Sequence, residues 1–217
     1  NHLYMIPESE ASNSVILYKC ISFPYKWEKD KVILNNVKAC DSVVFQNDLG
    51  QYLFITSLMD EKSTNERKNF CYVHNVMYEL DEDLNIIPDS KRELSEGDYG
   101  IRNAGKVIKT KSNLIRIAQN CTEGMYGKGL VFWALDSYNP YKEHELANID
   151  YKKACNHIMH IDHNGKIEGI HTYNCSAHYE IIDFMIFNEL PVYYKLYYFL
   201  GNRIFKIITK IERFIKS

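Results

Sequence analysis

ACDSVVFQNDLGQYLFITS, residues 39–57, reads as a β-hairpin, and the rest of the chain is variations on it. An acid, Asp41, opens an apolar run, Val43–Phe45. The polar stretch Gln46-Asn47-Asp48-Leu49-Gly50 reverses the chain, and Tyr52–Ile55 carries it back. Asn and Gly accept the positive φ that tight reversals need. Both runs are β-branched and aromatic, as strands prefer. Their apolar residues are consecutive, which predicts burial on both faces. Asp41 is then the exception, an acid at the mouth of a buried strand.

The same pattern recurs. Leu3–Ser9 reads as a return strand, Gly105–Asn120 as a full hairpin, and Gly169–Phe184 as another, with Asn174–Ala177 near its turn. Aligned on their return strands, Glu8, Ser57, Gln119 and Asp183 fall at equivalent ends. Hairpins repeated roughly every 55–65 residues are the mark of radial repetition, commonest among all-β folds as propeller blades. Ser14–Ile21 and Trp27–Leu34 extend the first unit, and Asn69–Leu80, Gly129–Leu135 and Ile158–Asp162 read as further strands. Tyr141–Ala154 fits a strand pair or a short helix. The chain opens inside a hairpin, so its first blade is expected to be incomplete, with sequence upstream.

Composition narrows the function. The chain has 217 residues and a net charge of −2, which gives no basic field for nucleic acid. Its 17 tyrosines suit half-buried sheets and also line sugar sites. Six cysteines form no CxxC pair, so reduced thiols in a cytoplasmic setting are expected. His157, His160 and His163 flank Asp162, but alternation along a strand sends neighbours to opposite sides, and no metal is predicted. No run is long enough to span a bilayer, and no Gly-rich phosphate loop is present, so no cofactor is expected.

Two segments follow: a β domain over 1–188 and a helix over 189–217. From Val192 onwards an apolar stripe (Ile204, Ile207, Ile208, Ile211, Phe214, Ile215) lies opposite Lys206, Lys210, Arg213 and Lys216, and the segment carries six Lys/Arg and a single Glu. Such a helix either docks on an anionic membrane surface or packs against protein with its basic face in water.

In a propeller, equivalent strand ends share one face. That geometry predicts a pocket holding Glu8, Asp41, Gln119 and Asp183, with Arg102 and His171 nearby. Two carboxylates across a pocket suit glycoside hydrolysis, one protonating the leaving oxygen and the other activating water or attacking carbon. Glu8 and Asp41 are the candidate catalytic pair. Arg102 suits an anionic sugar or phosphate, or anchors a loop through a carboxylate; Gln119 and Asn120 suit sugar hydroxyls or loop backbone; Tyr126 suits a sugar ring or the core; Asn103 and Asn174 join the binding set. His171 and Asp183 complete the candidate binding set.

YMIPES, FQNDLGQYLF, IRNAGKVIK with LIRIAQNC, and GIHTYN with YEIIDF occur in this order. Together, over about residues 1–184, they resemble the N-terminal domain of glucosamine inositolphosphorylceramide transferases. That domain also occurs in bacterial polysaccharide-locus proteins, sometimes fused to a formyltransferase. It is similar to the five-bladed propellers of furanosidase-type glycosidases. The resemblance implies a five-bladed β-propeller acting in a surface polysaccharide or glycoconjugate pathway, on carbohydrate, nucleotide sugar or lipid-linked sugar. It leaves two readings open: a glycosidase-like enzyme, or a non-catalytic glycan-binding or scaffolding module beside a glycosyltransferase or formyltransferase. The family's opening blade, with a further Asp, has no counterpart here, and Gln119 stands where an acid is expected. The membrane expectation has its own test: the full chain floats with anionic liposomes, and deleting Val192–Ser217 abolishes flotation. Equal flotation of both forms removes the membrane role of the helix.

Overall fold

The structure is a computed structural model that describes residues 2–59, 72–157 and 166–187. The expected strand at Ile158–Asp162, the helix over 189–217, and His160 and His163 lie outside the described residues, as does the side chain of His157. By its internal contacts the chain divides into two units, and the described residues apart from Lys166, Ile186 and Phe187 belong to the first.

The described residues are all-β, in four sheets that follow chain order. The first holds β1 (Tyr4–Met5), β2 (Ser14–Ser22) and β3 (Lys26–Asn35). The second is a meander of β4 (Ala39–Gln46), β5 (Tyr52–Leu58), β6 (Val73–Leu80) and β7 (Arg92–Gly97). The third runs β8 (Tyr99–Asn103), β10 (Leu114–Asn120), β11 (Gly129–Tyr138) and β12 (Tyr141–Asp150), with short β9 (Ile108–Lys109) beside β10. The fourth pairs β13 (Lys166–Cys175) with β14 (Glu180–Phe187). The sheets remain separate ladders and do not close on one another among the described residues.

Apolar side chains glue each sheet to the next. Val15 of the first sheet packs with Phe54, Val76 and Tyr78 of the second. Val43, Phe45, Ile55 and Met77 of the second pack with Leu114 and Leu135 of the third. Ile117 and Leu130 of the third pack with Ile170 of the fourth. The second sheet is therefore buried on both faces, as the consecutive apolar runs of its hairpin predict. Asn47 makes the hairpin turn: its Oδ1 accepts the N–H groups of Leu49 and Gln51, each at 3.0 Å, and Gly50 takes φ +80°.

Two expected elements differ. The strand expected over Leu3–Ser9 is confined to Tyr4–Met5, since Pro7 has no N–H for a ladder. Tyr141–Ala154 is neither a strand pair nor a helix throughout. Its first ten residues are one outer strand, and α1 (Tyr151–His157) follows, with Asp150 Oδ1 accepting the Lys152 N–H at 2.8 Å. Ile55 is fully buried between the second and third sheets. Ile55→Ala is expected to lower unfolding free energy by about 2–5 kcal/mol in urea denaturation; a loss below about 1 kcal/mol would contradict this packing.

Candidate functional site

Two breaks in strand register position the central pair. In β4, Cys40 faces Ser57 and Val43 faces Ile55, so Asp41 and Ser42 together stand opposite Thr56. This is a β-bulge, and Asp41 there takes φ +52°, a conformation Asp tolerates better than most side chains. In β8, Asn103 faces Ala118 and Tyr99 faces Asn120, so Gly100, Ile101 and Arg102 stand opposite Gln119 alone. Gly100 takes φ +67° in that bulge, and a Cβ there would meet the Trp133 ring at 2.6 Å. Bulges re-aim side chains. These two bring Arg102 Nε to 2.6 Å from Asp41 Oδ2, with only 10% and 13% of the side chains exposed.

From that pair a polar line runs through the second, third and fourth sheets and the segments between strands. The Asp41 N–H donates to Glu8 Oε2 at 3.1 Å. The Arg102 guanidinium carbon lies 5.4 Å from the centre of the Tyr126 ring. Tyr126 Oη is hydrogen-bonded to His171 Nε2. His171 Nδ1 lies 3.0 Å from Asp183 Oδ2, and Asp183 Oδ1 also accepts the N–H groups of His171 and Thr172. A carboxylate only accepts, so His171 Nδ1 carries the proton and, in the neutral ring, Nε2 accepts from Tyr126.

The charges respond to this packing. Burial alone would depress the Arg102 guanidinium, but the Asp41 carboxylate, with Cys40 and Tyr126 beside it, holds Arg102 above its ordinary value. Burial, then the Asp41 charge, pushes the Cys40 thiol up. Burial would raise the Asp183 carboxyl, yet the Thr172 N–H and the His171 ring hold it below the usual carboxylate range.

A cleft of about 1250 Å³ runs past Glu8, Asp41, Ser42 and Asn103 to Lys106 and Asn174. Thus Glu8, Asp41, Asn103 and Asn174 share one cavity. Arg102, Tyr126, His171 and Asp183 are joined to them by the polar line and do not line the cleft itself. Gln119 is different. It is fully buried, its Nε2 donates to the Asn103 carbonyl at 3.1 Å, and its Oε1 accepts from the Cys121 thiol. The expectation that Gln119 opens towards a pocket does not match this placement, because the bulge opposite it folds the chain over its amide. Asn103 is also engaged, donating to the Asp41 carbonyl at 2.7 Å. Asn174 Oδ1 accepts the Lys106 N–H at 3.0 Å.

One structural group escaped the sequence reading. Arg116, 1% exposed, forms a two-pronged pair with Glu143 at 2.9 and 2.6 Å and donates to the Gly100 and Ile101 carbonyls. The signal was present: a charged residue in the middle of the apolar strand LIRIAQN demands a buried partner.

An all-β chain with a polar cleft, built from tandem meander sheets, is the class that fold and site define. Within that class, the chain belongs to the family described as glucosamine inositolphosphorylceramide transferase 1, N-terminal, whose model matches residues 1–167. Similar curated proteins are glucosamine inositolphosphorylceramide transferase 1 of Arabidopsis thaliana, 29% identical over 66% of this chain, and that of Oryza sativa subsp. japonica, 26% identical over 71%. The matches cover 18% and 19% of those relatives, so the chain spans less than a fifth of their length. A solved endo-1,4-β-xylanase from Bacteroides thetaiotaomicron aligns with TM-score 0.39 and 10% identity over 66% of this chain and 53% of its own, too loosely to argue from.

The Arg116 pair makes the site's framework testable. Glu143→Ala leaves a buried guanidinium uncompensated and is expected to cost about 3–5 kcal/mol in urea unfolding. A change within about 0.5 kcal/mol would mean that the pair contributes no structure.

Proposed function

We propose that this domain binds, and acts on, the sugar portion of a glycoconjugate at the Glu8–Asp41 end of the cleft. The carrying observation is convergence. Glu8 from the segment between β1 and β2, Asp41 from the second sheet and Arg102 from the third meet within hydrogen-bond distance of Asp41. In this reading the four sheets are successive blades of a five-bladed propeller of the furanosidase type. Face-to-face packing of consecutive meanders supports it. Glu8 protonates the leaving oxygen, and Asp41 activates water or attacks carbon. Asn103 and Asn174 present amides along the cleft, and Tyr126, His171 and Asp183 brace Arg102. The ligand is a carbohydrate, a nucleotide sugar or a lipid-linked sugar. The domain works on the cytoplasmic side, beside the membrane its terminal helix docks on.

A second reading is a non-catalytic glycan-binding module serving a transferase. Its support is the burial of Gln119 where a third acid would stand, together with the transferase names of the far longer relatives.

Titration and turnover assays over a panel of furanosides, nucleotide sugars and lipid-linked sugars separate the two. If the domain is an enzyme, Asp41→Asn and Glu8→Gln each lower turnover by about 10²–10⁴-fold while binding persists. If it is a module, the unmutated chain binds without turnover and Asp41→Asn weakens binding. Unchanged binding and turnover in both variants would overturn the site assignment.

A further inference from the structure

We propose that the ligand of this site carries an oxyanion, a carboxylate or a phosphate, held end-on by Arg102. The inference rests on the sugar-site reading above and names the class of sugar it takes. Arg102 is 9% exposed. Its Nε donates to Asp41 Oδ2 at 2.6 Å, and its guanidinium carbon lies over the Tyr126 ring, 5.4 Å from the centre. Its two terminal nitrogens, Nη1 and Nη2, have no hydrogen-bond acceptor among the described residues.

This chain saturates a guanidinium where the role is structural. Every nitrogen of Arg116 donates: Nε to Glu143 at 2.9 Å, Nη1 to the Ile101 carbonyl at 3.1 Å, and Nη2 to Glu143 at 2.6 Å and the Gly100 carbonyl at 2.9 Å. Arg102 lies on β8 of the same sheet and is nearly as buried, yet one edge of its fork is unmatched among the described residues. Buried donors left unmade are costly, so such an edge is a place where an outside acceptor gains most.

The shape of that edge selects the acceptor. Nη1 and Nη2 present parallel N–H bonds that match two oxygens of one carboxylate or phosphate. Asp41 occupies the Nε side and leaves the far edge unused, so an incoming anion need not displace Asp41 to pair with the guanidinium. Tyr126 beneath the ring, fixed through His171 and Asp183, keeps the fork from swinging away.

The test uses the full chain, with glucose, glucuronate and a glucose phosphate as paired probes and inorganic phosphate as the sugar-free arm. Affinities come from calorimetry, and the arginine side-chain N–H signals are followed by NMR in the unmutated protein. The proposal expects at least one acidic sugar to bind about tenfold or more tightly than glucose, moving the Arg102 signals. Arg102→Gln removes that preference; Arg102→Lys, which keeps a charge beside Asp41 and checks folding, retains part of it. Binding of glucose and the acidic sugars alike, abolished by Asp41→Asn, would leave the sugar reading standing and overturn this one. Binding of inorganic phosphate at Arg102 as tight as that of any sugar phosphate would keep the oxyanion site and remove the sugar reading. No shift of the Arg102 signals by any probe, or a preference that survives Arg102→Gln, would overturn the proposal outright.

Discussion

The ion pair between Asp41 and Arg102 is the contact on which the site depends. It joins the first strands of two consecutive sheets across 61 residues of chain. Removing both charges from water is expensive, and the attraction between them offsets that cost only where the geometry is fixed. Here it is fixed from three sides. Glu8 takes the N–H of Asp41, Asn103 takes its carbonyl, and Arg102 takes its carboxylate. A positive φ at a non-glycine residue costs on the order of 1–3 kcal/mol and persists when its surroundings over-determine it. Asp41 is over-determined by Glu8, from the segment between β1 and β2, and by two residues of the third sheet.

The interior divides its work between apolar and polar contacts. Leu, Ile, Val and Phe side chains hold sheet to sheet, without directional demands. Polar residues handle what the register breaks leave over. Asn75 donates to the Ile101 carbonyl at 2.6 Å and Gln119 to that of Asn103, carbonyls that a regular β8–β10 ladder would have satisfied. Arg116 serves the same bulge from below. Once those groups are matched, Arg102 is left on the other side of the bulge with one edge of its fork available. The saturated Arg116 and an Arg102 with two nitrogens unmatched among the described residues are two results of the same irregularity.

The all-β class, the central hairpin and its two-sided burial were legible in residues 39–57, because consecutive β-branched and aromatic residues on either side of an Asn-Asp-Leu-Gly turn have few other solutions. Glu8 and Asp41 were legible together, one closing and one opening an apolar run, with Arg102 expected nearby. The bulges were not. A register break depends on which strand lies opposite, and that partner is not written in local sequence. For that reason Gln119, which alignment by strand ends puts beside Asp41, is instead enclosed beneath the β8 bulge. Arg116 and Glu143 were passed over for a related reason: they lie 27 residues apart in different strands, and only the fold brings them together.

The β4 bulge also explains why the acid is where it is. Ala39 and Val44 both pack towards the cluster shared with the first sheet, while Cys40, Val43 and Phe45 pack with residues that include those of the third. Positions 39 and 44 differ by an odd number, so a regular strand would send them to opposite faces. One extra residue must be absorbed between them, and Asp41 with Ser42 opposite Thr56 absorbs it. Freed from the alternation, Asp41 need not lie on either packed face and is turned towards Arg102 and the cleft. The apolar pattern on either side therefore forces the bulge, and the bulge creates the polar site. The Thr56 hydroxyl, bonded to Ser42 Oγ at 2.8 Å and to the Cys40 carbonyl at 3.2 Å, matches the backbone carbonyl that the interruption exposes. The site is thus a consequence of core packing as much as of its own charges.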